Sequence, residues 1–236
     1  MTVDLRLGRW QDVLADVECD ALICDPPYSA RTHGGQQGKD LGRTMLSYAA
    51  WSEDDVNAFV DYWGPRTRGW IAIITDHVLV PIFAAAMEMP ENGGRYVFAP
   101  IPIVETGSRV RLSGDGPSSW TCYLVVGRPK CEPYSKWGTL PGAYIGSGRG
   151  DREHIGGKDS GIMRAIVHDY SRPGDLVCDP CAGAATTAYA AACEGRRFVG
   201  SEMDPATFAK AQARIARGYT PTLFDADRPI DRKSVV

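Results

Sequence analysis

Asp25-Pro26-Pro27-Tyr28 follows directly on the apolar run Ala21-Leu22-Ile23-Cys24, so a buried strand ends in a stiff loop that carries a carboxylate and an aromatic face. Each proline fixes its own φ and brings no N–H, which leaves loop carbonyls free to act as acceptors and holds the tyrosine at a defined angle. The exocyclic amine of adenine or cytosine is a poor nucleophile because its lone pair is delocalised into the ring. Two acceptors gripping its hydrogens localise that pair while a stacked tyrosine holds the ring, so the loop is equipped to prepare such an amine for alkylation. Taken alone, the same four residues also describe a Pro-Pro turn closing a strand.

A second motif favours the chemical reading. Asp179-Pro180-Cys181-Ala182-Gly183-Ala184-Ala185-Thr186-Thr187 follows the apolar segment Leu176-Val177-Cys178 and precedes an alanine-rich stretch, Ala188 to Cys193, that reads as a helix. A strand, a small-residue loop and a helix form a nucleotide-type site, because small residues let backbone amides at a helix start approach a ligand. The next strand, Phe198 to Ser201, delivers Glu202 and Met203 roughly twenty residues further on, where an acid suits a ribose diol.

These segments together resemble the β-class amino-group DNA methyltransferases, in which the catalytic motif precedes the cofactor motif. The family pattern near Asp-Pro-Phe-Ala-Gly-Ser-Gly-Thr-Thr is kept here at Asp179, Pro180, Ala182, Gly183, Thr186 and Thr187. Cys181, Ala184 and Ala185 depart from it, and a Cβ at 185 costs on the order of 1 kcal/mol if that position needs φ > 0. His154 to Lys158, leading to Met163, is similar to the family's His…Lys-Pro…Leu motif that cups the methionine end of the cofactor, with Asp159 in place of the proline. Arg9 stands where relatives often carry an adenine-reading Asp, so Asp12 or Met203 takes that contact instead.

The resemblance implies a seven-stranded, Rossmann-like α/β class I methyltransferase fold, circularly permuted, with one antiparallel strand in a mostly parallel sheet. It further implies S-adenosylmethionine as cofactor and double-stranded DNA as partner, the chain acting as a monomer or homodimer. Asp25, Pro26, Pro27 and Tyr28 are then catalytic. His154, Lys158, Asp179, Pro180, Cys181, Ala182, Gly183, Thr186, Thr187, Glu202 and Met203 bind the cofactor. Adenine N6 is the expected target, since cytosine-N4 relatives more often begin the motif with Ser; cytosine N4 and a catalytically silent DNA-binding module are the alternatives. A dehydrogenase on the same sheet is disfavoured, because Gly-x-Gly-x-x-Gly is missing from the 179–187 loop.

The elements that must position these loops are legible. At 236 residues and 44% hydrophobic content, the chain suits one α/β domain. Strands are expected at 3–7, 21–25, 70–75, 96–104, 121–126, 175–179 and 197–201, with helices at Gln11–Val17, Val78–Met89, Arg164–Tyr170 and Asp204 to Arg217. Ser52 to Asp55 caps another helix, with Val56, Phe59, Val60 and Trp63 on one face. The net charge of −3 argues against broad coating of nucleic acid. Between 105 and 158, however, eight basic residues face five acidic ones, and 105–153 is the expected target-recognition insertion, where Tyr134, Trp137 and Tyr144 could stack bases. Residues 219–236 read as a tail. Of the seven cysteines, Cys178 and Cys181 have CxxC spacing but no second pair or histidines at ligand spacing, which fits reduced thiols and no metal site, and the lack of a long apolar run or leader predicts a cytoplasmic protein.

Overall fold

Residues 2–32, 49–106, 120–130, 137–146 and 158–218 are described in the computed structural model. The strands are β1 (Val3–Leu7), β2 (Ala21–Cys24), β3 (Ile71–Thr75), β4 (Tyr96–Val97), β5 (Ile101–Glu105), β6 (Thr121–Arg128), β7 (Tyr144–Gly146), β8 (Leu176–Asp179) and β9 (Arg197–Glu202). They form one sheet in the order β1-β9-β8-β2-β3-β6-β5-β7, with β4 also on β6. Strands β1, β9, β8, β2 and β3 pair in parallel. Strand β6 is antiparallel to β3, β4 and β5, while β5 and β7 pair in parallel, so among the described strands β6 alone runs the other way. This is the class I methyltransferase fold expected above.

The helices are α1 (Trp10–Val13), α2 (Glu53–Arg66), α3 (Val80–Glu88), α4 (Ser160–Tyr170), α5 (Thr186–Cys193) and α6 (Pro205–Arg217). Every residue of β2 and of β3 is buried, as befits inner strands of a parallel sheet covered on both faces. Their side chains alternate between two cores. Ala21, Ile23, Ala72 and Ile74 pack with Ile162, Ile166, Val167 and Tyr170 of α4 and the alanines of α5. On the opposite face, Leu22, Cys24, Ile71 and Ile73 meet Val56, Phe59, Val60 and Trp63 of α2 and Phe83 of α3. Each fully buried Leu, Ile or Phe contributes about 1.5–3 kcal/mol, which is why strands without a polar face are stable here.

Three departures from the sequence pattern have local causes. The single strand expected at 96–104 is two, because four steps from Val97 to Ile101 oppose three from Gly127 to Leu124, a bulge ending at Pro100. The 11–17 helix is a single turn, without a side-chain cap at Arg9 and ending at Leu14. Strand β7 was not expected at all; three residues among Gly and Pro give no periodicity to read.

The functional consequence is topological. The connection from β8 runs through α5 on one face, whereas that from β2 runs through α2 on the other, although β8 and β2 are neighbours. Their carboxyl ends therefore flank the switch point, the crevice in which open α/β sheets bind ligands.

Candidate active site

The two motifs identified in the sequence meet at this crevice. Leu22 is level with Cys178 in the parallel β2–β8 pair, so Asp25 and the 179–187 loop emerge side by side from the same edge of the sheet. Residues more than 150 positions apart in sequence thus share one opening.

On the β2 side, Oδ2 of Asp25 accepts a hydrogen bond from Nζ of Lys158 at 2.8 Å, while Oδ1 is buried with no partner among the described residues. The Lys158 ammonium also lies 5.0 Å from the centre of the Tyr28 ring. Burial alone would lower the lysine pKa, but the Asp25 carboxylate outweighs it and holds the group above the usual lysine range. Burial, then the neighbouring Asp25 charge, pushes the Tyr28 phenol up, and its hydroxyl has no hydrogen-bond partner among the described residues. Tyr28 is thus a neutral ring packed against the core. Lys158, expected beside the cofactor, is seated on the Asp25 loop. His154 lies outside the described residues.

The loop is fastened by a residue the sequence reading missed. Asp76, just past β3, accepts hydrogen bonds from the amide and hydroxyl of Ser29 at 3.0 and 2.5 Å and from the Thr32 hydroxyl at 2.5 Å. Its other oxygen takes the amides of Val78 and Leu79 at 3.0 and 3.1 Å. Burial would raise this carboxyl, yet the bonds from Ser29, Thr32 and Leu79 prevail and hold it below the usual range. Trp51 closes the base of the loop by donating its amide to the Tyr28 carbonyl at 3.1 Å.

On the β8 side, Asp179 is buried and accepts from the Cys181 amide at 3.0 Å and the Thr187 hydroxyl at 2.6 Å. Burial pushes its pKa up to about 6 against those bonds. Thr186 receives a bond from Arg214 of α6 at 3.0 Å, the same guanidinium reaching the Ala184 carbonyl at 3.3 Å. Both threonines therefore shape the loop from within. The Ser201 hydroxyl donates to the Pro180 carbonyl at 2.8 Å, and the Ala182 amide to the Ser201 carbonyl at 2.9 Å. Gly200 permits this closeness, since a Cβ there would sit 2.6 Å from the Asp179 carbonyl.

Gly183 has φ 52° with open space where a Cβ would be, and Ala185 has φ 60°, the only positive φ of a non-glycine residue among the described residues. The strain anticipated for Ala185 is present. Its Cβ is fully buried with the core, however, so it does not fill the crevice. Glu202, at the end of β9, accepts the Asp204 amide at 2.7 Å and is also stabilised by the Gly183 amide; burial outweighs these bonds and raises its pKa. Met203 beside it is exposed. Asp159 proves to be the N-cap of α4, accepting from Gly161 and Ile162 at 2.8 and 3.1 Å, which explains a residue other than proline there.

The expected base-stacking aromatics divide differently. Trp137 packs edge-on against Trp70 at 5.6 Å, and Tyr144 is buried with its hydroxyl donating to Asp169 at 2.8 Å, so both serve the core. Tyr134 lies outside the described residues.

Residues 128–213, from the end of β6 into α6, match the model of a DNA methylase family that spans N6 and N4 enzymes. Over that segment, a little over a third of its length, the chain is similar to the N6/N4 DNA methylases. Solved structures bear out the fold. The M1.HpyAVI–SAM complex superposes with a TM-score of 0.69 at 20% identity, covering 91% of this chain and 99% of that one. TTHA0409, a putative DNA modification methylase from Thermus thermophilus solved with S-adenosyl-L-methionine, gives 0.63 at 19% over 92% and 96%. PvuII DNA methyltransferase, cytosine-N4-specific, gives 0.60 at 14% over 96% and 91%.

The matched segment contains the 179–187 loop and Glu202 but not Asp25 to Tyr28, which the fold brings to that loop. No helix among the described residues is long and apolar enough to cross a membrane.

Proposed function

We propose that this protein is an S-adenosylmethionine-dependent DNA methyltransferase that transfers a methyl group to the N6 amine of an adenine turned out of double-stranded DNA, with Asp25, Pro26, Pro27 and Tyr28 as the catalytic loop. One observation carries the reading: a buried carboxylate oxygen without a partner among the described residues, Asp25 Oδ1, stands beside an aromatic ring at the mouth of the crevice. A buried acceptor left unpaired costs about 1–3 kcal/mol, so it is poised for a donor that arrives with the substrate.

The crevice suits the cofactor. Gly183 leaves open space over its loop, and Glu202 is a half-buried acid held beside it. Glu202 would take the ribose hydroxyls, and the backbone of Asp179 to Gly183 would line the rest of the site, with Met203 at its rim. When bound, S-adenosylmethionine supplies an electrophilic methyl group on a sulfonium.

The remaining work falls to the chain. Extruding a base costs a few kcal/mol, and stacking on Tyr28 returns about 1–3 kcal/mol of it. Asp25 Oδ1 and the Pro26 carbonyl accept the two amine hydrogens, which draws the nitrogen lone pair out of conjugation and aims it. As the new carbon–nitrogen bond formed, the methyl–sulfur bond would break with its electron pair left on sulfur as a neutral thioether, and the nitrogen, made cationic, would shed a proton toward the Asp25 oxygen. Catalysis is then mainly placement of the two reactants. Target reading is assigned to the connections on either side of β6 within 105–153.

The preference for adenine rests on the Asp that opens the motif. Incubating duplex DNA with the protein and labelled S-adenosylmethionine, then digesting to nucleosides for mass spectrometry, should yield N6-methyldeoxyadenosine, lost in Asp25→Ala. Label found only in N4-methylcytosine would transfer the assignment to cytosine. Binding of DNA without transfer would point to the silent module.

A further inference from the structure

The reading above leaves Lys158 without a task, although it is the cation nearest the reacting centre. We propose that Lys158 is a positioning residue for the target amine: it clamps one oxygen of Asp25 so that the other is presented, alone and in fixed orientation, to the substrate. This inference rests on Asp25 being the amine acceptor.

Three observations converge on it. The first is the division of labour within one carboxylate: Oδ2 lies 2.8 Å from Nζ of Lys158, and Oδ1 is buried with no partner among the described residues. A carboxylate held at neither oxygen could rotate, and its two oxygens would exchange places. Held at one, it offers a single acceptor in a preorganised direction, which is how a site avoids reorganising as charge develops.

The second is the mounting of the lysine. It directly precedes Asp159, whose side chain caps α4 and whose amide meets the Glu105 carboxylate at 3.4 Å. The ammonium is thus carried on the start of a packed helix, with only 11% of its side chain exposed. Removing an ammonium from water is costly unless a carboxylate faces it, so the buried position is maintained by Asp25 itself.

The third is the surroundings. Glu105 at the end of β5, Cys122 of β6, and Tyr28 and Asp25 of the catalytic loop all bear on Nζ, while Asp179 of β8 lies on the far side of Asp25. The cation sits 5.0 Å over the Tyr28 ring, where attraction to the ring face fixes the stacking platform as well as the carboxylate. One side chain therefore orients both groups that meet the base.

Two measurements test the clamp, the first on wild type, Lys158→Met, Lys158→Gln and Lys158→Arg. At saturating S-adenosylmethionine, the single-turnover rate should fall about 100-fold in the Met and Gln variants and recover at least about tenfold in Lys158→Arg, which restores the charge. Affinity for S-adenosylmethionine, measured by calorimetry, should stay within about threefold of wild type. A tenfold or greater loss of that affinity with an unchanged saturated rate would overturn the proposal and return Lys158 to the cofactor carboxylate. The second measurement needs no substrate. Nitrogen-15 spectra of the ligand-free protein should show a slowly exchanging Lys158 ammonium that disappears in Asp25→Asn; its absence from wild type would also overturn the clamp. If the wild-type protein methylates no duplex but the ammonium signal behaves as described, the catalytic reading has failed and the ion pair has not.

Discussion

At the scale of single residues, the crevice separates the groups proposed to meet the base from those that pack into the core. The Tyr28 hydroxyl is buried with no hydrogen-bond partner among the described residues, so the ring is the part proposed to meet the base. Tyr28→Phe should therefore keep methyl transfer within about threefold and leave the fold equally stable or up to about 1 kcal/mol more so, since a buried unpaired hydroxyl is a cost. Tyr28→Ala should lose the stacking contribution of about 1–3 kcal/mol and lower kcat/KM on duplex DNA by about 5- to 150-fold. A Phe variant as crippled as the Ala variant would show that the hydroxyl acts directly. Ala185 poses the opposite question. Its left-handed backbone costs about 1–2 kcal/mol, but its buried methyl contributes about 0.8 kcal/mol, and glycine would add about 0.5–1 kcal/mol of chain entropy to be lost. These terms nearly cancel, so Ala185→Gly should shift Tm by no more than about 3 °C. Because the methyl points into the core, calorimetry should find S-adenosylmethionine affinity unchanged within about threefold. Ala185→Val, a β-branched residue forced into that conformation, should destabilise by about 2–4 kcal/mol.

At the scale of elements, the catalytic loop is only as rigid as its anchor on β3. Asp76 gathers five hydrogen bonds from two segments, and Asp76→Ala should leave Ser29, Thr32 and the start of α3 without their acceptor. The expected cost is about 2–4 kcal/mol, seen as a Tm lower by about 5–12 °C. Cofactor affinity should be spared, because Asp179, Arg214 and Ser201 hold the other loop independently. Equal loss of cofactor affinity would mean that the two loops are one cooperative unit. Asp76 also shows where sequence reading stops. The strands around both motifs were legible because parallel inner strands are continuous apolar runs, and α2 because Ser52 and Asp55 form a capping box ahead of a helical stripe. Ser29 and Asp76 are 47 positions apart, and a lone acid after a strand carries no sign of what it will bind. Lys158 was read onto the cofactor through its motif, whereas its partner Asp25 is 133 positions away and is identified only once β8 and β2 lie side by side.

At the scale of the whole molecule, the buried acids that frame the crevice set how stability depends on pH. Asp179 is raised to about 6, chiefly by burial, against about 3.9 in an unfolded chain. Between those values the folded protein holds a proton that the unfolded chain has released, so fewer protons are bound on unfolding and stability falls as pH rises through the window. Glu202 is also raised by burial and acts in the same direction. Asp76 is lowered, so its contribution is present above about pH 4 and is lost only as the pH falls further. The opposing signs make Asp179 and Glu202 favour the folded state at mildly acidic pH, while Asp76 opposes further acidification. From mildly acidic pH to pH 7.5 the loss attributable to Asp179 is on the order of 1–3 kcal/mol, or several degrees in Tm. Thermal melts followed by circular dichroism from pH 4.5 to 8 should show this decline in the wild type and a flatter curve in Asp179→Asn, whose amide can still accept from Cys181. An identical slope in the two proteins would mean that Asp179 is ionised throughout. The cofactor loop would then be built around a permanent buried charge instead of a carboxyl whose proton is taken up as the crevice folds.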